Sequence, residues 1–318
     1  MWISPYKYVL SLGHLCSDIN QSILSAVLPF LIATYHYDYT TAAMLVTVSN
    51  VFGAFVQPFI GMLSDKKNKL LYMTLGVLLA SGGMAVTGFI SNFFGLCIVV
   101  IISGIGVVMF HPQAAKLVNS VSSKNAKGKG MSIFSFGGKV GFTLGPVYTA
   151  FLMNLFGMKG TILFLIPGIV FGIVCSFFNK DFENLDVLEV EKKEKVKSEQ
   201  KDDWSGFIKL CCVVFSCSIL SNGISTFLAF YFIQQFSKSN SFASMLLSVF
   251  YGIGSITLLG GGIADCFGHR KMVRLSFCIF LPAIFIFTNT SHFVIALIML
   301  IFMTCGESLS YSPMVVLG

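Results

Sequence analysis

Long apolar runs alternate with short polar breaks along the whole chain. The runs lie near residues 8–34, 39–63, 70–90, 93–115, 130–156, 160–178, 206–236, 241–264, 272–288 and 292–318. Each comes close to the roughly 20 apolar residues that a helix needs to cross about 30 Å of hydrocarbon. The pattern therefore predicts ten spans and an all-α membrane protein. The first run has no small-residue cleavage site and is followed at once by more spans, so it reads as a membrane helix and not as a removable signal peptide.

One polar break is far longer than the others. Asn179 to Trp204 mixes Asp181, Glu183, Asp186, Glu189, Glu191 and Glu194 with Lys192, Lys193, Lys195 and Lys197. So polar a stretch does not cross lipid, though part of it fits a surface helix held by Glu–Lys pairs. It divides the chain into a six-helix lobe (residues 1–178), a charged linker acting as a tether (179–205) and a four-helix partial lobe (206–318).

Composition removes the soluble alternatives. Of 318 residues 55% are hydrophobic, 11% are charged and 33 are Phe, with a mean hydropathy of +0.82. A soluble domain has to face water with more polar surface than this. The net charge of +7 is explained by where the charges fall. With an internal N-terminus, the internal loops hold Lys66, Lys67, Lys69, Lys116, Lys124, Lys127, Lys129, the linker lysines, Arg270, Lys271 and Arg274, and the external loops hold only Lys159 and Lys238. This is the positive-inside pattern. It puts the N-terminus and linker in the cytoplasm, makes the lipid bilayer the partner and implies no nucleic acid. The nine cysteines form no CxxC and no Cys/His cluster, so neither a metal site nor a disulfide framework is expected. HExxH, GxSxG and P-loop motifs are missing, which argues against an enzyme.

Ionisable groups inside spans are expensive and mark function. In the first span His14 and Asp18 stand one turn apart on one face, with Asn20 and Gln21 extending the polar region. At about 1.5 Å per residue Asp18 falls near mid-bilayer. Desolvation and a neighbouring cation act on a buried carboxylate in opposite senses, a competition that a proton-coupled carrier can use. The other reading of the same residues is a satisfied packing network. His111, beside Pro112, reads as a cap or kink at the end of the fourth span. Glu307 is a second carboxylate candidate.

Gly128 to Pro146 carries Gly137, Gly141 and Gly145, each four residues from the next. Together they form a side-chain-free face where another helix can come close; Pro146 would loosen the helix, and Lys139 puts a full charge in the run. The alternative is a simple packing face whose lysine reaches water. The two halves also repeat: Gly61 and Asp65 recur as Gly261 and Asp265, each before a basic turn containing Lys69 or Arg270. Matching positions in two halves are what an internally duplicated transporter shows, and these carboxylates fit a conformational latch.

GxxxD before basic residues in both halves resembles the loop signature of the major facilitator superfamily. Gly141-x-x-x-Gly145-Pro146 resembles part of its antiporter signature. More narrowly, GHLCSDINQS (Gly13–Ser22), FHPQAAKL (Phe110–Leu117) and SIFSFGGKVGFTLGP (Ser132–Pro146) are similar to its fosmidomycin-resistance group. The resemblance implies a two-lobe bundle of twelve helices, a central cavity, and export of a drug or small metabolite driven by proton entry through the cell membrane, with no cofactor beyond the proton gradient. It also makes the first and fifth helices neighbours, so that Asp18 and Lys139 are expected to pair. The glycine groove is expected to face Ser244, Ser248 and Gly252 of the eighth span. Departures are Asn68-Lys69 in place of Gly-Arg, Val100 in place of an arginine, and Lys139 itself. About ten of the twelve helices are present by this count, so a monomer is expected unless another chain completes the second lobe. The alternatives are an organic-anion or sugar symporter or uniporter, and an inactive truncated remnant.

Overall fold

The computed structural model describes residues 6–64, 69–121, 127–178, 204–255 and 268–317. Among them lie ten α-helices: α1 Tyr6–Tyr35, α2 Tyr39–Ser64, α3 Lys69–Ala85, α4 Phe93–Ser120, α5 Lys127–Phe156, α6 166–178, α7 Trp204–Phe236, α8 Asn240–Gly254, α9 His269–Asn289 and α10 Phe293–Leu317. Strands are absent among the described residues. The chain forms two compact units, Met1–Ser198 and Glu199–Gly318.

In the first unit α1 is the axis. Its most apolar window is 78% buried, against 22% for α2, so α1 is enclosed by its neighbours while α2 lies at the surface. Small residues make this enclosure possible. Gly137, Gly141 and Gly145 of α5 back onto Ser11, Leu15 and Ile19–Ser22 of α1 in parallel register. A methyl group at any of them would run into α1 backbone. The groove expected to face the eighth span is thus filled by α1 of its own unit. Across α3 and α4 the pattern is antiparallel: Gly76 meets Gly106, and Gly83 meets Val99 and Ser103. Ser103 Oγ donates to Ala80 O at 3.0 Å and Ser49 Oγ of α2 donates to Val100 O at 3.0 Å. Without a hydrophobic drive between helices in lipid, such close backbone approach and interhelical hydrogen bonds hold the bundle. Gly13 leaves room for the rings of Phe110 and Phe171, which sit in a core with Leu10, Met73 and Phe134.

The sixth span does not begin as an α-helix. Gly157 (φ 57°) turns the chain out of α5, and Gly157–Leu165 forms a 3-10 helix before α6. Thr161 explains why the segment is held there. Its hydroxyl donates to Ala85 O at 2.9 Å and accepts from Gly88 N at 3.1 Å, tying the segment to the 3-10 turn Thr87–Phe89 after α3.

The second unit packs α7 against α8, and α10 against α8 and α9. Phe232 is fully buried among Phe236, Phe287 and Phe293, and Tyr231 Oη donates to Phe287 O at 2.6 Å. The eighth span is helical to Gly254 and capped at Ser255; residues 256–264 lie outside the described residues.

The same turn opens both units. After α1, His36 takes φ 57°, and after α7, Ser237 takes φ 50°. In each unit the N-cap follows two residues later. Asp38 Oδ1 accepts from Thr41 N at 2.7 Å, and Ser239 Oγ accepts from Phe242 N at 3.3 Å. Hydrogen bonding by Thr41, from its hydroxyl first and its backbone second, lowers the Asp38 pKa below the ordinary value. Elsewhere the outer surface is apolar: Phe94, Phe177 and Phe285 stand exposed, as helices that meet lipid require.

Candidate functional site

At the centre of the first unit α1 departs from the apolar pattern. Asp18 is 3% exposed and lies between two histidines. Its Oδ2 is 3.2 Å from Nε2 of His14, one turn back on α1. Its Oδ1 is 3.2 Å from Nε2 of His111 on α4, in contact but outside hydrogen-bond geometry. The two imidazoles meet edge to face, with centroids 5.1 Å apart.

His14 is fixed from its other side. Its Nδ1 is 2.8 Å from Phe134 O of α5, and its ring stacks on that of Phe134 at 4.0 Å. A carbonyl only accepts, so Nδ1 carries the hydrogen and a neutral His14 presents a bare Nε2 lone pair to Asp18. Two acceptors 3.2 Å apart repel unless a proton or cation lies with them. The glycines of α5 make this anchoring possible. Residues four ahead of Ile133 and Phe134 are Gly137 and Gly138, so no side chain covers those carbonyls. Ser11 Oγ uses the first, at 2.8 Å, and His14 uses the second.

Gly138 borders the site directly. A methyl group there would lie 2.5 Å from Asp18 Oδ2 and 2.6 Å from His14 Nε2. Lys139, expected to pair with Asp18, is half-buried and makes no ion pair among the described residues. The α5 face toward α1 is 134, 137, 138, 141 and 145, and position 139 falls off that face.

The other sequence candidates are spread apart. Asn20 is buried but turned toward α3, where Nδ2 donates to Ser81 Oγ and to Cys16 O, each at 2.8 Å. Gln21 is exposed. Glu307 is half-buried on α10 of the second unit. Of the latch residues, Asp65, Gly261 and Asp265 lie outside the described residues. Gly61 lies in α2, where an added methyl group would meet nothing within 4 Å among the described residues, and Lys69 and Arg270 belong to the first turns of α3 and α9. Pro146 lies inside α5, which continues past it to Phe156. His111, read from sequence as a cap or kink, is a member of the site. On the same two helices, Ser17 Oγ and Asn20 Oδ1 of α1 and both amide atoms of Gln113 of α4 are buried without hydrogen-bond partners among the described residues.

The profile of the Major Facilitator Superfamily matches residues 10–318. The fosmidomycin resistance protein of Escherichia coli (strain K12) is 23% identical over 276 residues, covering 83% of this chain and 66% of that protein. The uncharacterized MFS-type transporter YfnC of Bacillus subtilis (strain 168) is 23% identical over 278 residues, covering 85% of this chain and 68% of that one. The chain thus spans about two thirds of the length of these relatives. Among solved structures, an inward-facing, occupied bacterial homolog of the human lysosomal transporter Spinster superposes with a TM-score of 0.81 at 16% identity, covering 98% of this chain and 73% of that one. A D-xylose-proton symporter gives 0.74 at 16% identity, covering 98% and 81%.

Proposed function

This chain belongs to the Major Facilitator Superfamily, and on that premise we propose that it is a secondary transporter that exports a drug or small metabolite in exchange for protons. The observation that carries the proton half of this reading is Asp18, enclosed in an apolar lobe between two imidazoles. With His14 Nδ1–H committed to Phe134 O, the space between Nε2 and Oδ2 is favourable only when a proton occupies it. That proton is exchangeable, because the His111 side chain is 33% exposed and gives it a way out. Loading the proton converts an acceptor–acceptor contact into a hydrogen bond. The substrate half rests on the relatives, among them a fosmidomycin resistance protein and a multi-drug resistance efflux pump of Streptococcus pneumoniae. The lysine and arginine distribution supports an N-terminus and a linker on the cytoplasmic side of the cell membrane.

A second reading has its own observation. Lys139 sits in mid-helix without an ion pair among the described residues, as a cation awaiting an anionic substrate would. The two readings are compatible, since an organic anion exported against protons uses both groups.

Purified protein in liposomes carrying an internal pH dye tests the proposal, with fosmidomycin as the probe substrate. Fosmidomycin should evoke a proton flux that Asp18→Asn abolishes. Full flux from Asp18→Asn would remove Asp18 from the coupling path.

A further inference from the structure

The arrangement that suits a proton also suits a larger cation. We propose that His14, Asp18 and His111 form a binding site for a divalent transition-metal ion of the zinc class. Two imidazole nitrogens and one carboxylate are the donor set that zinc, nickel and cobalt take, and one that magnesium and calcium, which need oxygen ligands throughout, do not.

The spacing fits. Ligand bonds of about 2.0–2.1 Å in tetrahedral geometry put neighbouring donors about 3.3 Å apart. Each histidine Nε2 lies 3.2 Å from a different oxygen of the Asp18 carboxylate, His14 from Oδ2 and His111 from Oδ1, and one donor atom from each of the three residues falls within 4.8 Å of the others. The ion therefore needs adjustment of side-chain tips and not of helices.

The surroundings fit as well. A metal-bound histidine usually donates its other ring N–H to a carbonyl or carboxylate, which fixes the tautomer and aims the free nitrogen at the ion. His14 does this through Phe134 O at 2.8 Å. Asp18 Oδ1 is buried without a hydrogen-bond partner, an acceptor still to be satisfied. Burial of Asp18 limits competition from water, and the exposed third of His111 leaves a route and a fourth position for water or another ligand. The single carboxylate offsets half of the ion's charge, so the loaded site carries a net positive charge. Ligand spacing in the sequence does not reveal the arrangement, because His111 lies 93 positions after Asp18.

The test reads binding and needs no transport, so its failure and that of the proton-exchange reading are separable. Full-length protein in detergent is titrated with cobalt(II), followed by visible absorption, and then with zinc(II) by calorimetry. One ion per chain is expected, with d–d bands of nitrogen and oxygen ligation and no thiolate charge-transfer band. His14→Gln, Asp18→Asn and His111→Gln should each weaken binding at least tenfold, while His36→Gln and His292→Gln leave it unchanged. His111→Gln is the decisive variant, because its half-exposed position makes misfolding least costly; gel-filtration profiles verify each variant. Absence of stoichiometric binding, a thiolate band, or unchanged affinity in His111→Gln would overturn the site.

Discussion

Two glycines three residues apart on α5 should fail in opposite ways when given a methyl group. In Gly138→Ala the new carbon would lie 2.5 Å from Asp18 Oδ2 and 2.6 Å from His14 Nε2. Reaching ordinary contact near 3.4 Å requires the carboxylate to retreat by about 0.9 Å. Both obstructing atoms are side-chain tips, so the helices need not move. Alanine also gains about 0.5–1 kcal/mol over glycine inside a helix. The melting temperature should therefore stay within about 4 °C of wild type. The site should not survive, because a misplacement of about 1 Å is of the size that costs about 100-fold in rate. In Gly141→Ala the foremost obstacle is Leu15 O of the α1 backbone, with Asp18 Cβ and Ile19 N next. Here the helices must separate, at about 1–3 kcal/mol, or about 2–12 °C in melting temperature for a unit of this size. Thermal unfolding in detergent and proton flux in liposomes give the two readouts. Gly138→Ala with wild-type flux, or Gly141→Ala as stable as wild type, would refute the α1–α5 geometry on which the site rests.

Other outcomes follow from the same contacts. The effects of Asp18→Asn and His111→Gln on unfolding should be non-additive by about 0.5–3 kcal/mol; simple additivity would mean that the two groups do not interact. Lys139→Gln should leave stability within about 0.5 kcal/mol, because no ion pair is lost, while a large drop would reveal a partner. Ser239→Ala should cost about 1 kcal/mol as a lost N-cap, read from chemical unfolding followed by tryptophan fluorescence. At the matching turn the folded state holds Asp38 below its ordinary value of 3.8. Its stabilising effect is full above that value and disappears as pH falls through the lowered folded value. Asp38→Ala should accordingly lower the melting temperature at neutral pH, by an amount that shrinks only at strongly acidic pH, and equal melting temperatures near neutrality would contradict the cap.

How far the sequence spoke depended on how local the information was. The apolar runs specified the helices because each run is long enough to form a helix by itself. The boundary at the sixth span was missed, since the 3-10 helix Gly157–Leu165 is held by Thr161 bonding to Ala85 and Gly88, which are distant in sequence. His14 and Asp18 were legible together because four residues on one helix is one turn. His111 was not, since its place beside Asp18 depends on how α4 packs on α1; the visible signal was only a histidine before a proline. Lys139 stands off the groove for a reason legible in the sequence. It lies two residues from both Gly137 and Gly141, and residues two apart on a helix do not share a face. A lysine beside a glycine groove was therefore pointing away from whatever fills the groove.

His14, Asp18, His111 and Gly138 all belong to the first compact unit, and α1 and α5 are locked backbone to backbone around them. If that unit moves as a rigid body, their mutual distances travel with it unchanged. A proton or metal ion would then bind with the same intrinsic affinity before and after the movement. A ligand bound equally well by two states shifts no equilibrium between them, however tightly it binds. Loading the site is thus insufficient to drive a transport cycle. The driving difference has to come from something that meets the site in one state and leaves it in the other, and the exposed third of the His111 side chain is where such a contact can be made.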